Sequence, residues 1–501
     1  MSALSMALRS ERIAKNTTYL TTALVIQKAL SFFFFLAIAR FLGKAGTGDY
    51  VAAFAMSSIF GVFIDLGLGS VLIRELARDT RQSETYFGNI VSLKIVLAVS
   101  AYLALLGFVK ILELMGVGHP PLPLVLVAGM VMVVDSFTLA GTSVFRGYHN
   151  LWFESVTIAL NKIIVLGLGL PVLLFAPSTL NVMLSVFLGS VVSVGLLSFY
   201  LYQDQHLSWQ PRWDPAVIRN LMRLAAPFAW AGIFSALYAY SDSVLLSILQ
   251  GSEAVGLYSV AAKTMNAFQF IPLAFMAAIY PAMSAYYVAA PERLQSLLEA
   301  SLRYLFIVSA PLAMGLYLLA QEFVMRLGVA YAPAAAAVRI LMPSLVFVFL
   351  SFPLGALLNA TNRQHWQTAV IGLGMVSNVG LNLWLIPHWS YLGASWAWFA
   401  TNAAIVVVGF WLARQVVAYR LRPLIGSFLR VSLSTVLMAL VVLAVEPYGI
   451  IVAVLLGSSV YLLALALLRE LTSADIVYFY GLFRVARDLD PSTSSPASGS
   501  A

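Results

Sequence analysis

The stretch TTYLTTALVIQKALSFFFFLAIA, Thr17 to Ala39, decides how this chain is read: twenty-three residues with a single charge, Lys28. A bilayer hydrocarbon core about 30 Å thick is crossed by about 20 apolar residues in a helix. Similar runs follow one another as far as Leu468, over 17–40, 50–73, 88–112, 122–145, 155–176, 181–203, 224–250, 256–283, 299–325, 335–358, 366–387, 391–413, 426–445 and 448–468. The runs are unbroken rather than alternating, which points to helices and not to the strands of a barrel. The expected fold is an all-α polytopic membrane protein of about 14 transmembrane helices.

The composition agrees. Hydrophobic residues make up 61% of the 501 and charged residues 10%, with a mean hydropathy of +0.91. Soluble domains carry about 25% charge, so this chain lacks the means to cover a water-facing surface. The net charge of +8 sits mainly in short loops at helix ends. No basic block interleaved with aromatics is present, which excludes a nucleic-acid partner. With no cysteine, disulfides, thiolate metal sites and cysteine nucleophiles are excluded. Arg9, Arg12 and Lys15 precede the first run as in a signal peptide, but the run is too long for one and lacks a cleavage pattern, so it is read as a retained helix.

Basic residues fix the orientation. Of 29 lysines and arginines, four (Lys28, Lys94, Lys162, Lys263) lie inside spans and five (Arg40, Lys44, Lys110, Arg326, Arg339) fall on one side. The remaining twenty fall on the other, which the positive-inside rule makes cytoplasmic. Both termini are then cytoplasmic, in a multi-pass protein of the inner or plasma membrane. The polar tail from Asp488 is expected to be disordered.

Gly43-Lys-Ala-Gly-Thr-Gly48-Asp-Tyr50-Val-Ala-Ala53 recurs as Gly251-Ser-Glu-Ala-Val-Gly256-Leu-Tyr258-Ser-Val-Ala261. Each copy joins the first and second helix of a half. Gly141 and Trp152 are echoed by Gly355 and Trp366, again at matching places. The alternative is chance recurrence of residues common at helix ends, but the matched positions favour a repeat. The division is then a cytoplasmic segment 1–16, an N-lobe 17–203 (spans 1–6), an inter-lobe loop 204–223, a C-lobe 224–413 (spans 7–12), spans 13–14 with their preceding loop over 414–468, and a tail 469–501. An even number of spans per lobe makes the repeat parallel, about a pseudo-twofold axis along the membrane normal. Such lobes can rock around a central cavity. Prolines 227, 272, 281, 311, 343 and 353 in the second half serve either as flexing points or as packing kinks.

Seven charges lie inside the spans: the four lysines with Asp65, Asp135 and Asp242. Each costs about 2.5–3.5 kcal/mol at mid-bilayer on insertion scales, so each faces the bundle interior or water. Depth along the helices pairs Asp65 with Lys94, Asp242 with Lys263 and, more loosely, Asp135 with Lys162. The pairs are either cavity groups or structural ions that fix helix register. Lys28 is left without a carboxylate, and an unpaired ammonium in a wet cavity is a natural anion site. Gln27, Asn161, Asn266, Gln269, Asn359, Asn378 and Asn382 either line a polar cavity suited to sugar hydroxyls or bond helix to helix. Arg303 and Arg339 lie near span ends and are read as snorkelling. The five histidines fall in separate loops without metal spacing, and no P-loop or nucleophile elbow is present. An enzyme is not expected.

Phe41 to Tyr50, followed by Phe63-Ile-Asp-Leu-Gly-Leu-Gly-Ser-Val-Leu-Ile-Arg-Glu-Leu-Ala-Arg78, resembles the first helix pair of polysaccharide flippases. These are the O-antigen or exopolysaccharide repeat-unit translocases of the multidrug/oligosaccharidyl-lipid/polysaccharide exporter superfamily. Val255 to Lys263 and Ile279-Tyr-Pro-Ala-Met283 resemble the eighth helix of that family, and Asn359-Ala-Thr-Asn-Arg363 its loop between helices ten and eleven. The resemblance implies alternating-access movement of an undecaprenyl-diphosphate-linked oligosaccharide to the outer leaflet, for lipopolysaccharide or exopolysaccharide biosynthesis. In related lipid II flippases, basic cavity residues serve the diphosphate. Lys28 and Lys263 are the nearest analogues here, with Lys94 and Lys162 as further candidates and Asp65, Asp135 and Asp242 for coupling or charge pairing. The first helix has lysine and no arginine at this place. No cofactor is implied beyond a coupling ion, H+ or Na+. The implied partners are the lipid-linked oligosaccharide, membrane lipid, and a polysaccharide polymerase with a chain-length regulator. Two other classes remain open: a cation-coupled multidrug antiporter of the same superfamily, disfavoured by four intramembrane lysines, and a non-transporting assembly scaffold.

Overall fold

A computed structural model describes residues 3–470, with side chains from Tyr19 onward except Thr21. The tail from Asp488 lies outside the described residues. Among those described the regular structure is helical: α1 Ala3–Asp65, α2 Leu68–Arg78, α3 Ser83–Leu114, α4 Leu122–Gly147, α5 Trp152–Phe175, α6 Thr179–Gln205, α7 Pro215–Gln250, α8 Ser252–Phe268, α9 Phe270–Ala289, α10 Pro291–Leu318, α11 Ala320–Met325, α12 Ala334–Ala360, α13 Gln364–Arg414, α14 Leu421–Val445 and α15 Ile450–Leu467.

Twelve of these helical stretches are long and apolar enough to cross a membrane. Two are long enough to cross twice: Thr22–Asp65 with 44 residues and Gln364–Arg414 with 51. At about 1.5 Å per residue the shorter reaches about 66 Å. Each breaks once, at Gly43 and at Ser390, which brings the crossings to the fourteen read from the sequence. The eighth crossing is interrupted at Gln269, between α8 and α9. Pro272 lies in the first turn after that interruption, where its missing N–H goes unused.

The recurring glycine motif has one backbone geometry in both copies. Gly43 has φ 65° and ψ −179°, and Gly251 has φ 82° and ψ 178°. Only glycine occupies that region without strain. The second glycine of each copy explains the rest of the motif. A Cβ at Gly48 would lie 1.7 Å from the Ser252 carbonyl oxygen, and one at Gly256 would lie 1.9 Å from that of Lys44. Ser252 and Lys44 are themselves matching positions of the repeat, so the two copies grip each other reciprocally. Around this clasp Ser252 Oγ donates to Asp49 Oδ1, Lys44 pairs with Glu253 at 2.7 Å, and the buried Tyr331 hydroxyl donates to Thr47 Oγ1 at 2.9 Å. The clasp joins the lobes at the end of the bundle opposite the start of α1.

At the other end the connection between lobes is a strap rather than a loose loop. Helix α6 runs to Gln205 and α7 begins at Pro215, well before the span edge at 224. Asp214 caps α7 by accepting from the amides of Ala216 and Val217. The strap is fixed to the N-lobe by the Arg212 amide on the Gly88 carbonyl at 3.1 Å, the Asp214 amide on Asn89 Oδ1 at 2.7 Å, and the Arg212–Glu84 ion pair. Helices α14 and α15 pack outside the C-lobe on α10, where the Tyr461 hydroxyl donates to the Ile307 carbonyl at 2.6 Å.

A lysine-lined chamber as candidate functional site

Between the lobes lies a cavity of about 660 Å³, well within the range of ligand sites. Three of the four intramembrane lysines line it: Lys28 from α1, Lys162 from α5 and Lys263 from α8. They are close enough to act on one another, Lys263 feeling both Lys28 and Lys162. No ion pair or hydrogen bond engages their ammonium groups among the described residues. The N-lobe supplies two of these lysines, from α1 and α5, and the C-lobe one, from α8.

The fourth lysine is not a chamber group. Lys94 is wholly buried on α3; its ammonium donates to Asp65 Oδ1 at 2.8 Å and to the Ser136 carbonyl at 3.0 Å. The pairing of Asp65 with Lys94 is therefore present, while the placement of Lys94 with the diphosphate-binding lysines is corrected. With its charge met by Asp65, a carbonyl as second acceptor and no exposure, Lys94 lies outside the chamber and out of a ligand's reach.

The other two pairings are corrected as well. Asp242 on α7 is buried and forms no ion pair with Lys263. Its Oδ2 accepts from the Tyr258 hydroxyl at 2.6 Å and its Oδ1 from Asn382 Nδ2 at 2.5 Å, and Asn382 Nδ2 also reaches Asn378 Oδ1 at 3.0 Å. Tyr258 and the two asparagines, one turn apart on α13, surround the carboxylate with neutral groups before Lys263 can reach it. Asp135 on α4 forms no ion pair with Lys162 and influences it only through space. Asn161 donates to Ser193 Oγ at 3.0 Å, tying α5 to α6 rather than lining the chamber, and neither Gln27 nor Asn359 lines it. Asn266 and Gln269 do line it, at the interruption between α8 and α9.

The sequence reading missed Tyr238, Gln367, Trp398 and Asn402, which also line the chamber. Asn402 carries the same signal that singled out Asn378 and Asn382, a carboxamide inside a span. The aromatics carry none, because tryptophan and tyrosine are common in membrane helices. No group of three or more metal-ligating side chains occurs among the described residues.

A family model described as polysaccharide biosynthesis protein matches residues 13–287, more than half of the chain, and a second, MatE, matches residues 227–384. A putative O-antigen transporter of Shigella flexneri is 24% identical over 257 residues, 49% of this chain. The aligned part spans 60% of that relative's length. Among solved structures, the lipid II flippase MurJ in an inward closed conformation matches with a TM-score of 0.75 at 13% identity, covering 90% of this chain and 99% of that one. A multidrug resistance MATE family transporter in an inward-facing conformation matches with a TM-score of 0.65 at 16% identity, covering 80% and 97%. At these identities the structural matches establish the shared fold.

Proposed function

The chain belongs to the polysaccharide biosynthesis protein family, and from that premise we propose that it is a flippase for an anionic lipid-linked oligosaccharide. The cargo class is an undecaprenyl-diphosphate-linked repeat unit carried from the cytoplasmic to the outer leaflet by alternating access. The observation that carries this reading is the convergence of Lys28, Lys162 and Lys263 on one chamber, none of them ion-paired, where the lining carboxylate of Asp242 is held by Tyr258 and Asn382. A diphosphate cannot cross hydrocarbon bare, and ammonium groups in a wet cavity replace its hydration with charge-assisted hydrogen bonds. The polyprenyl tail has no need of the chamber and stays in lipid. The names of two relatives, an O-antigen transporter and a lipid II flippase, agree with a cargo of this class.

In this cycle the glycine clasp acts as the outer gate, and the strap of residues 206–214 keeps α7 tied to the N-lobe while the lobes rock. Basic asymmetry places the termini and the strap in the cytoplasm. Asp242 is the candidate for coupling to H+ or Na+, since Asp65 is committed to Lys94. Asn382 Oδ1, Asn378 Nδ2 and Thr401 Oγ1 on α13 are buried without partners, so this part of the C-lobe has polar capacity that the fold does not use.

The test is a deletion strain complemented with wild type or with Lys28→Gln, Lys162→Gln and Lys263→Gln combined. Wild type restores surface polysaccharide, and the lysine variant, present at normal abundance, fails to. Unchanged polysaccharide with raised drug sensitivity in the deletion strain would instead favour the multidrug antiporter, the reading that the MatE match keeps in view.

A further inference from the structure

The two walls of the chamber differ in kind. The N-lobe wall supplies Lys28 and Lys162 set among phenylalanines 32, 34 and 35 and aliphatic residues. Beyond Lys263 and the Asp242 carboxylate, the C-lobe wall supplies carboxamides and aromatic rings. Tyr238 and Trp398 stack with centroids 5.0 Å apart at 26°. The Tyr238 hydroxyl donates to Asn402 Oδ1 at 3.1 Å, and Asn402 Nδ2 donates to the Trp398 carbonyl at 2.8 Å. That leaves one Asn402 N–H, and the Tyr238 oxygen as acceptor, uncommitted. Gln367 lines the same wall with no hydrogen bond to its side chain among the described residues. It is packed where Gly355 leaves room, since a Cβ there would meet its Nε2 at 2.8 Å. Gln269 donates to Asn266 Oδ1 at 2.8 Å, which leaves the Gln269 oxygen and the Asn266 amide free.

We infer that the C-lobe wall is a saccharide subsite, built to hold the sugar next to the diphosphate, and that sugar specificity resides there while the lysines hold the charge. This rests on the flippase reading above and adds to it a division of labour. Carboxamides that both donate and accept match hydroxyl groups, which do the same, and an aromatic stack matches the apolar face of a pyranose ring. The carboxamide oxygens, which only accept, and the aromatic stack add nothing to the capture of a diphosphate. Unused amides in a bilayer-depth cavity would be costly in a purely apolar or purely anionic site.

The experiment compares binding of two probes to purified protein: undecaprenyl diphosphate, and the lipid-linked oligosaccharide that accumulates in cells deleted for this chain. For Gln367→Ala, affinity for the oligosaccharide is expected to fall several-fold to about tenfold, the size of one or two neutral hydrogen bonds, with affinity for undecaprenyl diphosphate unchanged. Trp398→Phe, which keeps an aromatic ring and removes the indole, serves as a second variant should Gln367→Ala fold poorly, with the same selective loss expected. Lys28→Gln weakens both probes together. If Gln367→Ala and Trp398→Phe lower both affinities equally, or neither, the saccharide subsite is overturned while the lysine arm still upholds the flippase reading. If wild type binds neither probe, both ideas fall.

Discussion

Lys94 and Lys28 are the same residue type, in the same lobe, each inside an apolar span, and the fold treats them in opposite ways. Lys94 is fully buried against Asp65 and a carbonyl. Lys28 looks into a chamber shared with two more ammonium groups and no ion-paired carboxylate. A charged side chain in a membrane protein is thus a binding group only where the fold withholds its counterion. Where the counterion is supplied, the pair fixes helices α1, α3 and α4 in register, and its removal is a loss of structure rather than of function.

That contrast is broken most sharply at Lys94. Lys94→Ala strands Asp65 without its cation and is expected to destabilise the folded protein by about 3 kcal/mol. The figure is at the low end because the Asp65 side chain keeps 21% of its exposure. Thermal unfolding in detergent measures the loss, and combining Lys94→Gln with Asp65→Asn should restore most of it. A Lys94→Ala protein that melts normally but fails to transport would place this lysine with the chamber group after all. Next in size is Lys28→Gln alone, which removes one charge-assisted contact worth about 1.5–3 kcal/mol. Translocation should drop about tenfold to a hundredfold, with the melting temperature unchanged or raised as repulsion is relieved. The smallest effect belongs to Lys44, whose ion pair with Glu253 is 35% and 61% exposed. Lys44→Ala should change stability by less than about 1 kcal/mol and leave transport intact, because the clasp there is made by backbone approach at Gly48 and Gly256. A large loss from Lys44→Ala would transfer the gate from the glycines to their salt bridge.

Much of this was legible in the sequence, for reasons that differ by residue. The glycine motif could be read because glycine at two fixed positions has a backbone cause, a positive φ at Gly43 and Gly251 and a carbonyl at Cβ distance beside Gly48 and Gly256. Asp65 and Lys94 could be paired because consecutive helices place equal depths side by side. The same arithmetic failed for Asp242 and Lys263, since depth fixes height along a helix but not direction around it. Tyr258 and Asn382 take up Asp242 from directions that depth does not describe. The lead-in of α7 from Pro215 was hidden because Arg219 and Arg223 interrupt its hydropathy, although Asp214 and Pro215 spell a helix start. The C-lobe wall stayed unseen because it is assembled from separate crossings, and no local pattern brings Tyr238, Gln367 and Trp398 together.

The central claim is that Lys28, Lys162 and Lys263 act as one anion-binding set in a chamber between the lobes. It is tested most directly by translocation of the undecaprenyl-diphosphate oligosaccharide across proteoliposomes, comparing wild type with the triple glutamine variant at matched protein and matched melting temperature. The account predicts that outer-leaflet appearance of the oligosaccharide falls to the protein-free rate in the triple variant. Translocation at the wild-type rate without those three ammonium groups would contradict it.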